Sequence, residues 1–216
     1  MLNLKNHVSM ACLALALFAS GAAQAGPSYR VNVDTDGHTG QGLMDFTFLA
    51  NAGATPATAT LTNFHGAYGT AFDRSAGAAG TLAGGIVLGN QNGGNYLTQF
   101  VNLGGLFSFV VRFDGDFATT ENVDESLFSA TLYNADFTGY IGNPGSFAAF
   151  ALVPQMNGVP GGVAVLAGNG MASVTPLAEI PEPSSLLLAL GAFGIMGLVR
   201  RKVSRRPGFR LPGSFA

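Results

Sequence analysis

The chain has 216 residues, a length that suits one domain with short appendages. Only 10% of the residues are charged and 31 are glycine, so the composition favours strands, turns and loops over helices. Residues 26–180 hold eleven acidic residues against three arginines, a formal charge of −8, which argues against nucleic acid as a partner. The single cysteine, Cys12, lies in the N-terminal apolar segment, so the body is expected to use neither disulfides nor thiol chemistry.

The N-terminus has the three parts of a secretory signal peptide. Lys5 provides a basic start, residues 8–18 are mostly apolar, and small residues follow. Ala23 and Ala25 match the small-residue cleavage pattern, which predicts a signal peptide over residues 1–25 and cleavage before Gly26. The apolar run is too short to span a membrane, which takes about 20 residues.

Beyond residue 25, apolar residues alternate with polar ones rather than recurring at helical spacing. Tyr29, Val31 and Val33 alternate with polar neighbours, and period-two alternation is typical of a half-buried strand. The same pattern predicts further strands, which gives this set: 29–33, 44–48, 57–61, 107–113, 128–132, 147–152 and 163–166.

Turn dipeptides such as Asp36-Gly37 and Asn157-Gly158 separate these segments. Many short strands at this spacing predict an all-β fold, an antiparallel β-sandwich or jelly-roll-like body over residues 26–170. We expect a helical turn at 121–126 and a linker at 171–180.

Two acidic turns are candidate calcium sites. Asp34 and Asp36 flank one, and Asp114 and Asp116 flank the other, in the alternate spacing of oxygen ligands that suits a hard cation. Neither turn is followed by the glutamate of an EF-hand loop, and Asp-Gly is common hairpin chemistry. The turn interpretation is therefore favoured, and no metal or cofactor is assigned.

No catalytic group is singled out by spacing. His38 and His65 are the only histidines of the body, and they show no zinc-ligand spacing. The tyrosines are scattered along the chain and most phenylalanines alternate as core residues, so carbohydrate binding is permitted but not indicated. The acidic residues are expected to form a solvated surface rather than a glycosidase pair, and the candidates are Asp114, Asp116, Glu121, Asp124 and Glu125.

The C-terminus carries a second ordered set of signals. Pro181-Glu182-Pro183 is followed by an apolar segment predicted to be helical over 184–199, and then by the basic residues Arg200, Arg201 and Lys202. The positive-inside rule keeps the basic cluster in the cytoplasm, so the helix would tether the body outside. Residues 207–216 form a further tail. An ordinary C-terminal membrane anchor is the alternative interpretation.

The segment 181–206 resembles the PEP-CTERM sorting signal of exopolysaccharide-producing Gram-negative bacteria. The resemblance implies exosortase as the processing partner and Pro181, Glu182 and Pro183 as the processing motif. It also implies transient tethering to the inner membrane, and then release to the cell surface or the exterior. The opening of the body, residues 29–35, resembles a group of β-rich PEP-CTERM proteins, which supports the fold and adds nothing on activity.

The leading hypothesis is a non-enzymatic structural or adhesive protein that acts among exopolysaccharides. A carbohydrate-binding module is the first alternative, and it calls for a row of exposed tyrosines on one sheet. A secreted hydrolase is the second alternative, and it calls for two carboxylates in a cleft with raised pKa.

Overall fold

The computed structural model describes residues 26–178, which form twelve β-strands and two short 3-10 turns. The 3-10 turns cover Gln91–Gly93 and Asp116–Thr119. The strands are β1 (Ser28–Asp34), β2 (Gln41–Ala50), β3 (Ala57–His65), β4 (Tyr68–Arg74), β5 (Ala78–Thr81), β6 (Gly85–Gly89), β7 (Gly94–Asn102), β8 (Leu106–Gly115), β9 (Ser126–Asn134), β10 (Ala148–Val153), β11 (Gly162–Leu166) and β12 (Ala172–Leu177).

The strands form two six-stranded antiparallel sheets packed as a sandwich. The first sheet has the order β12-β1-β8-β3-β6-β5, and the second has the order β11-β10-β9-β2-β7-β4. The predicted all-β sandwich is confirmed. Chain neighbours often lie in different sheets, so each sheet is completed only when distant segments pair.

Phenylalanine rings from the two sheets fill the space between them. Phe46 on β2 meets Phe109 on β8 with ring centroids 5.1 Å apart, and Phe113 on β8 meets Phe128 and Phe150 of the second sheet at 5.7 and 5.3 Å. All five side chains are fully buried. Because side chains alternate across a strand, closing this inner face turns the intervening residues outward.

Two local predictions are wrong. The expected linker at 171–180 contains strand β12, which pairs with β1 from Ser28↔Leu177 to Val33↔Ala172. Val174 of β12 packs against the core, which is why a polar and small-residue segment still forms a strand. The helical turn expected at 121–126 lies instead at Asp116–Thr119, while Glu121 and Asp124 make isolated β-bridges.

The sequence pattern missed strands β4, β5, β6 and β7. In β7 the alternation is obscured because both faces of the strand mix polar and apolar side chains. Its inward positions include the amides Asn95 and Gln99, and its outward positions include Tyr96 and Phe100. The Gln99 amide donates to the carbonyl of Gly69, which satisfies it inside the sandwich. Aromatic side chains on the outward side of a central strand have no role in the core.

The two terminal signals lie outside the described residues. They include the predicted signal peptide with Ala23 and Ala25, the sorting motif Pro181 to Pro183, the helix at 184–199 and the basic cluster. Within residues 26–178, no helix is long and apolar enough to cross a membrane.

Candidate functional site

The outer face of the second sheet carries five aromatic side chains, here called the aromatic row. The strand register places Phe100 of β7 and Tyr133 of β9 on either side of Leu43 of β2, and Tyr133 bridges to Tyr140. Leu43 is fully buried, so its side chain forms the floor beneath the rings. The row consists of Phe72, Phe100, Phe137, Tyr133 and Tyr140.

The rings of the row contact one another in sequence across the sheet. Tyr133 stacks between Tyr140 and Phe137, with centroids 5.0 and 4.5 Å away, and Phe137 lies 6.4 Å from Phe72 at an interplanar angle of 16°. Phe72 in turn meets the edge of Phe100 at 5.3 Å. Phe72, Phe137 and Tyr140 remain 51%, 45% and 47% exposed, so they keep surface that a ligand can cover.

The backbone holds Phe137 in a conformation that a bulky residue rarely adopts. Its φ is +62°, in the left-handed region, which costs on the order of 1 kcal/mol or more for such a side chain. The turn overrides this cost, because the Asn134 Oδ1 accepts from the N–H groups of Thr138 and Gly139 at 2.9 and 3.0 Å. The Asp136 carboxylate adds a bond from the Thr138 hydroxyl at 2.7 Å. A rigid turn therefore presents an exposed ring at the expense of backbone strain.

Next to the aromatic row lies a line of oxygen-bearing side chains, here called the polar row. Consecutive strands pair Asp73 with Thr98, Thr98 with Asp45, and Asp45 with Thr131. The Thr98 hydroxyl donates to the Asp45 carboxylate at 2.6 Å, and the Thr131 hydroxyl is bonded to that of Ser146 at 3.1 Å. Burial raises the pKa of Asp45, and the hydrogen bond from Thr98 partly offsets the rise.

Two tyrosines link the rows electrostatically. The Tyr96 hydroxyl donates to the Asp73 carboxylate at 2.9 Å, and this bond, with the charge of Asp73, raises the pKa of Tyr96. Desolvation, together with the neighbouring Tyr140, raises the pKa of Tyr133. The charge of Asp45 contributes to both shifts, which places it within electrostatic reach of both phenols.

The tyrosines are scattered along the chain, but the fold brings three of the five to one face. Tyr96, Tyr133 and Tyr140 share the outer face of the second sheet, whereas Tyr29 and Tyr68 pack against the core. Burial raises the pKa of Tyr68 well above its usual range. The sequence signal that would have found the row is the outward position of aromatics in β7 and β9, and it depends on knowing the register.

The acidic turns use their carboxylates within the fold. Asp34 Oδ1 accepts the backbone N–H of Asp36 at 2.9 Å, and Asp114 pairs with Arg112 at 3.0 Å. Asp116 begins a 3-10 turn. Within residues 26–178, no group of three or more His, Cys, Asp and Glu side chains is arranged to hold a metal ion.

The other acidic candidates secure loops. Glu121 Oε1 accepts from the Gly158 N–H at 2.8 Å and from the Gln155 amide at 3.0 Å, and Asp124 Oδ2 accepts from the Gly53 N–H at 3.1 Å. Glu125 is exposed, and the structure does not bring these carboxylates together around a cleft. His38 lies in the β1–β2 loop and His65 ends β3.

The sandwich also has a cleft of about 350 Å³ where β4 of the second sheet faces β5 of the first. Half of its lining residues are glycine or alanine, and its polar side chains are Arg74, Thr81 and Gln99. No carboxylate lines this cleft, so it lacks the acidic pair that a glycosidase needs.

A family model described as the PEP-CTERM protein-sorting motif matches residues 179–206. This match confirms the resemblance drawn from the Pro-Glu-Pro motif, the apolar segment and the basic cluster. No curated protein and no solved structure matches the chain.

Replacing Asp45 with Asn should stabilise the fold at neutral pH. A carboxyl whose pKa is raised on folding favours the folded state less as pH increases, so Asp45 weakens the fold above its folded pKa. Asn keeps the bond from Thr98 without the buried charge, and we expect Tm at pH 7 to rise by roughly 1–3 °C.

The gain should disappear below about pH 4, where the carboxyl is protonated in both states. Thermal melts of the wild type and Asp45→Asn between pH 3 and pH 8 measure it. Asp116→Asn is the matched control, since that carboxylate is exposed. A variant less stable than the wild type at pH 7 would contradict the conclusion that the Asp45 carboxylate destabilises the fold.

Proposed function

We propose that this chain, which carries a PEP-CTERM sorting motif, is a non-enzymatic adhesive protein that binds exopolysaccharide through the aromatic row. The sorting motif makes it an exported protein processed by exosortase. The adhesive role, the polysaccharide ligand and the absence of catalysis are the proposed parts.

The C-terminal segment is the basis for the proposed export and processing. The family match includes Pro181, Glu182 and Pro183, which we propose as the processing motif, and Arg200, Arg201 and Lys202, which we propose as the cytoplasmic stop. Cleavage after Ala25 at the other end would leave a body without cysteine. The body would be tethered at the inner membrane until processing and would then reach the cell surface or the exterior.

The single observation that carries the proposed ligand is the aromatic row beside the polar row. Aromatic rings contribute most binding free energy when they cover a flat apolar surface, and the C–H face of a pyranose is such a surface. Hydroxyls at the sugar's rim are donors, and the carboxylates of Asp45 and Asp73 are acceptors placed alongside. A pyranose ring is about as wide as a phenyl ring, so several rings in sequence suit a chain of linked sugars better than one sugar.

The position of the chain ends favours this arrangement. Ser28 lies opposite Leu177 in the register of β1 and β12, so the body's two ends meet at one edge of the first sheet. The aromatic row lies on the outer face of the second sheet. The residues that lead into the two terminal segments therefore belong to a different sheet from the aromatic row.

A hydrolase is less well supported than a binding protein. Glu121, Asp124 and Asp114 are engaged in loop hydrogen bonds or an ion pair, and Asp45 is the one described carboxyl whose pKa is raised. Asp45 lies on an open sheet face rather than in a cleft, so water would not be excluded from a reaction there.

Replacing Pro181, Glu182 and Pro183 with alanine should abolish processing in the native host. Intact mass of the wild type should show loss of both ends, and the variant should keep its C-terminal length and remain in the inner-membrane fraction. Arg210→Ala, which lies beyond the matched segment, is the control. A wild type that retains its tail and stays in the membrane would make the motif incidental and the protein a tail-anchored periplasmic domain.

Processed protein from the host should co-sediment with the host's own exopolysaccharide. Phe137→Asn should weaken this binding by at least about tenfold, because a stacked aromatic contact is lost and tenfold corresponds to about 1.4 kcal/mol. Asn tolerates the positive φ at this position, so the fold is preserved.

Leu106→Asn is the matched control, since it removes a side chain that is 69% exposed on the first sheet. Equal binding by the wild type, Phe137→Asn and Leu106→Asn would rule out the aromatic row as the binding surface. Absence of binding by the wild type would rule out the host exopolysaccharide as the ligand.

A further inference from the structure

We propose that the polysaccharide recognised by the aromatic row carries free amino groups, as a polymer of partly de-N-acetylated amino sugars does. This inference rests on the proposed function and narrows its ligand from exopolysaccharide in general to a cationic class. The observation that carries it is the uncompensated negative charge around the rings.

Three carboxylates lie on or beside the aromatic row. Asp45 of β2 pairs with Thr98 in the polar row, and Asp73 lies at the β4 end of the same row. Asp136 precedes Phe137 in its turn. In residues 26–178 the structure shows one ion pair, Arg112–Asp114, and it belongs to strand β8 of the first sheet. The three carboxylates of the face are therefore not neutralised by a cation of the described body.

The body's three arginines are placed elsewhere. Arg30 is on β1 and Arg112 on β8, both in the first sheet. Arg74 follows Asp73, but it is registered with the inward residue Leu97, and its guanidinium points at the Gly80 carbonyl of β5, 3.5 Å away. An acidic polysaccharide would thus meet like charge without a compensating cation, at a cost in affinity.

The carboxylates of the face include one that is charged and one that has capacity for a further donor. Hydrogen bonds from Thr138 lower the pKa of Asp136, so it is charged at neutral pH. Asp45 accepts from the Thr98 hydroxyl, and within the described chain no second donor reaches it. A carboxylate has about four lone-pair sites. The half-buried Asp45 carboxylate, with a single donor, can therefore accept a further, charge-assisted hydrogen bond from an ammonium group.

The rings suit the same ligand. An ammonium group near the face of an aromatic ring is attracted by the ring quadrupole, by about 0.5–1 kcal/mol at an exposed site. An amino sugar has an apolar C–H face for the rings and an ammonium group for the carboxylates, and the two rows lie side by side. A neutral sugar offers the carboxylates only hydroxyl donors, and an N-acetylated sugar replaces the cation with an amide.

The experiment measures the affinity of the processed protein for four oligosaccharides of equal length by titration calorimetry. They are a glucosamine oligomer, its N-acetylated counterpart, a neutral β-glucan oligomer and a uronic acid oligomer. We expect the glucosamine oligomer to bind at least about tenfold more tightly than its N-acetylated counterpart, and the uronic acid oligomer to bind most weakly. Raising the salt concentration should reduce the preference, because the face is solvent-exposed.

Two variants test whether the preference comes from this face. Asp45→Asn and Asp73→Asn together should reduce the ratio of the glucosamine to the N-acetylated affinity by about tenfold, because they remove the negative charge while their amide oxygens still accept hydrogen bonds from sugar hydroxyls. Asp116→Asn is the matched control, as its exposed carboxylate follows β8 of the first sheet. Circular dichroism melts confirm that each variant is folded.

Equal affinities for the glucosamine, N-acetylated and neutral oligomers, with loss of all three in Phe137→Asn, would overturn the amino-sugar inference and leave the proposed function standing. Preference for the uronic acid oligomer would also overturn it. Absence of binding to every oligomer and to the host exopolysaccharide would overturn both.

Discussion

The burial of phenylalanine between the two sheets is the interaction on which the rest of the structure depends. Phe46, Phe109, Phe113, Phe128 and Phe150 interlock across the sandwich and leave one face of each sheet dry. Since side chains alternate along each strand, this burial fixes which residues face solvent. A one-residue slip of β9 would turn Tyr133 inward and bring Phe128 out of the core. The candidate site is therefore set by the same register that stabilises the fold.

The outer face of the second sheet carries features that the fold alone does not require. Phe137 has a strained backbone, Phe72 and Tyr140 leave apolar surface in water, and Asp45 has a partly desolvated carboxyl. Each costs stability, and residues kept at such a cost are typical of functional surfaces. Their concentration on one face, while the acidic loop residues hold loops in place, is the basis for proposing that face as the binding surface. Delivery by the tail is a distinct property, carried by residues 179–206.

The sequence predicted the fold class, the strands that obey simple alternation and the sorting signal, because each depends on local pattern. It missed β4, β5 and β6, and also β7, whose inward Asn95 and Gln99 interrupt an otherwise apolar face. It also missed β12, whose Val174 gains its burial only by pairing with β1. The aromatic row was not predictable, since Phe72, Phe100, Tyr133 and Tyr140 come from separate segments. Their proximity follows from strand order and register, which depend on contacts between residues far apart in the chain.

The claim that the outer face of the second sheet is the binding surface is tested most directly by nuclear magnetic resonance of isotopically labelled processed protein. Fragments of the host exopolysaccharide are titrated and the amide shifts are mapped. The account predicts that the shifted amides cluster around Asp45, Thr98, Tyr133 and Phe137, with residues of the first sheet unchanged. Shifts concentrated at the cleft between β4 and β5, or on the first sheet, would contradict it.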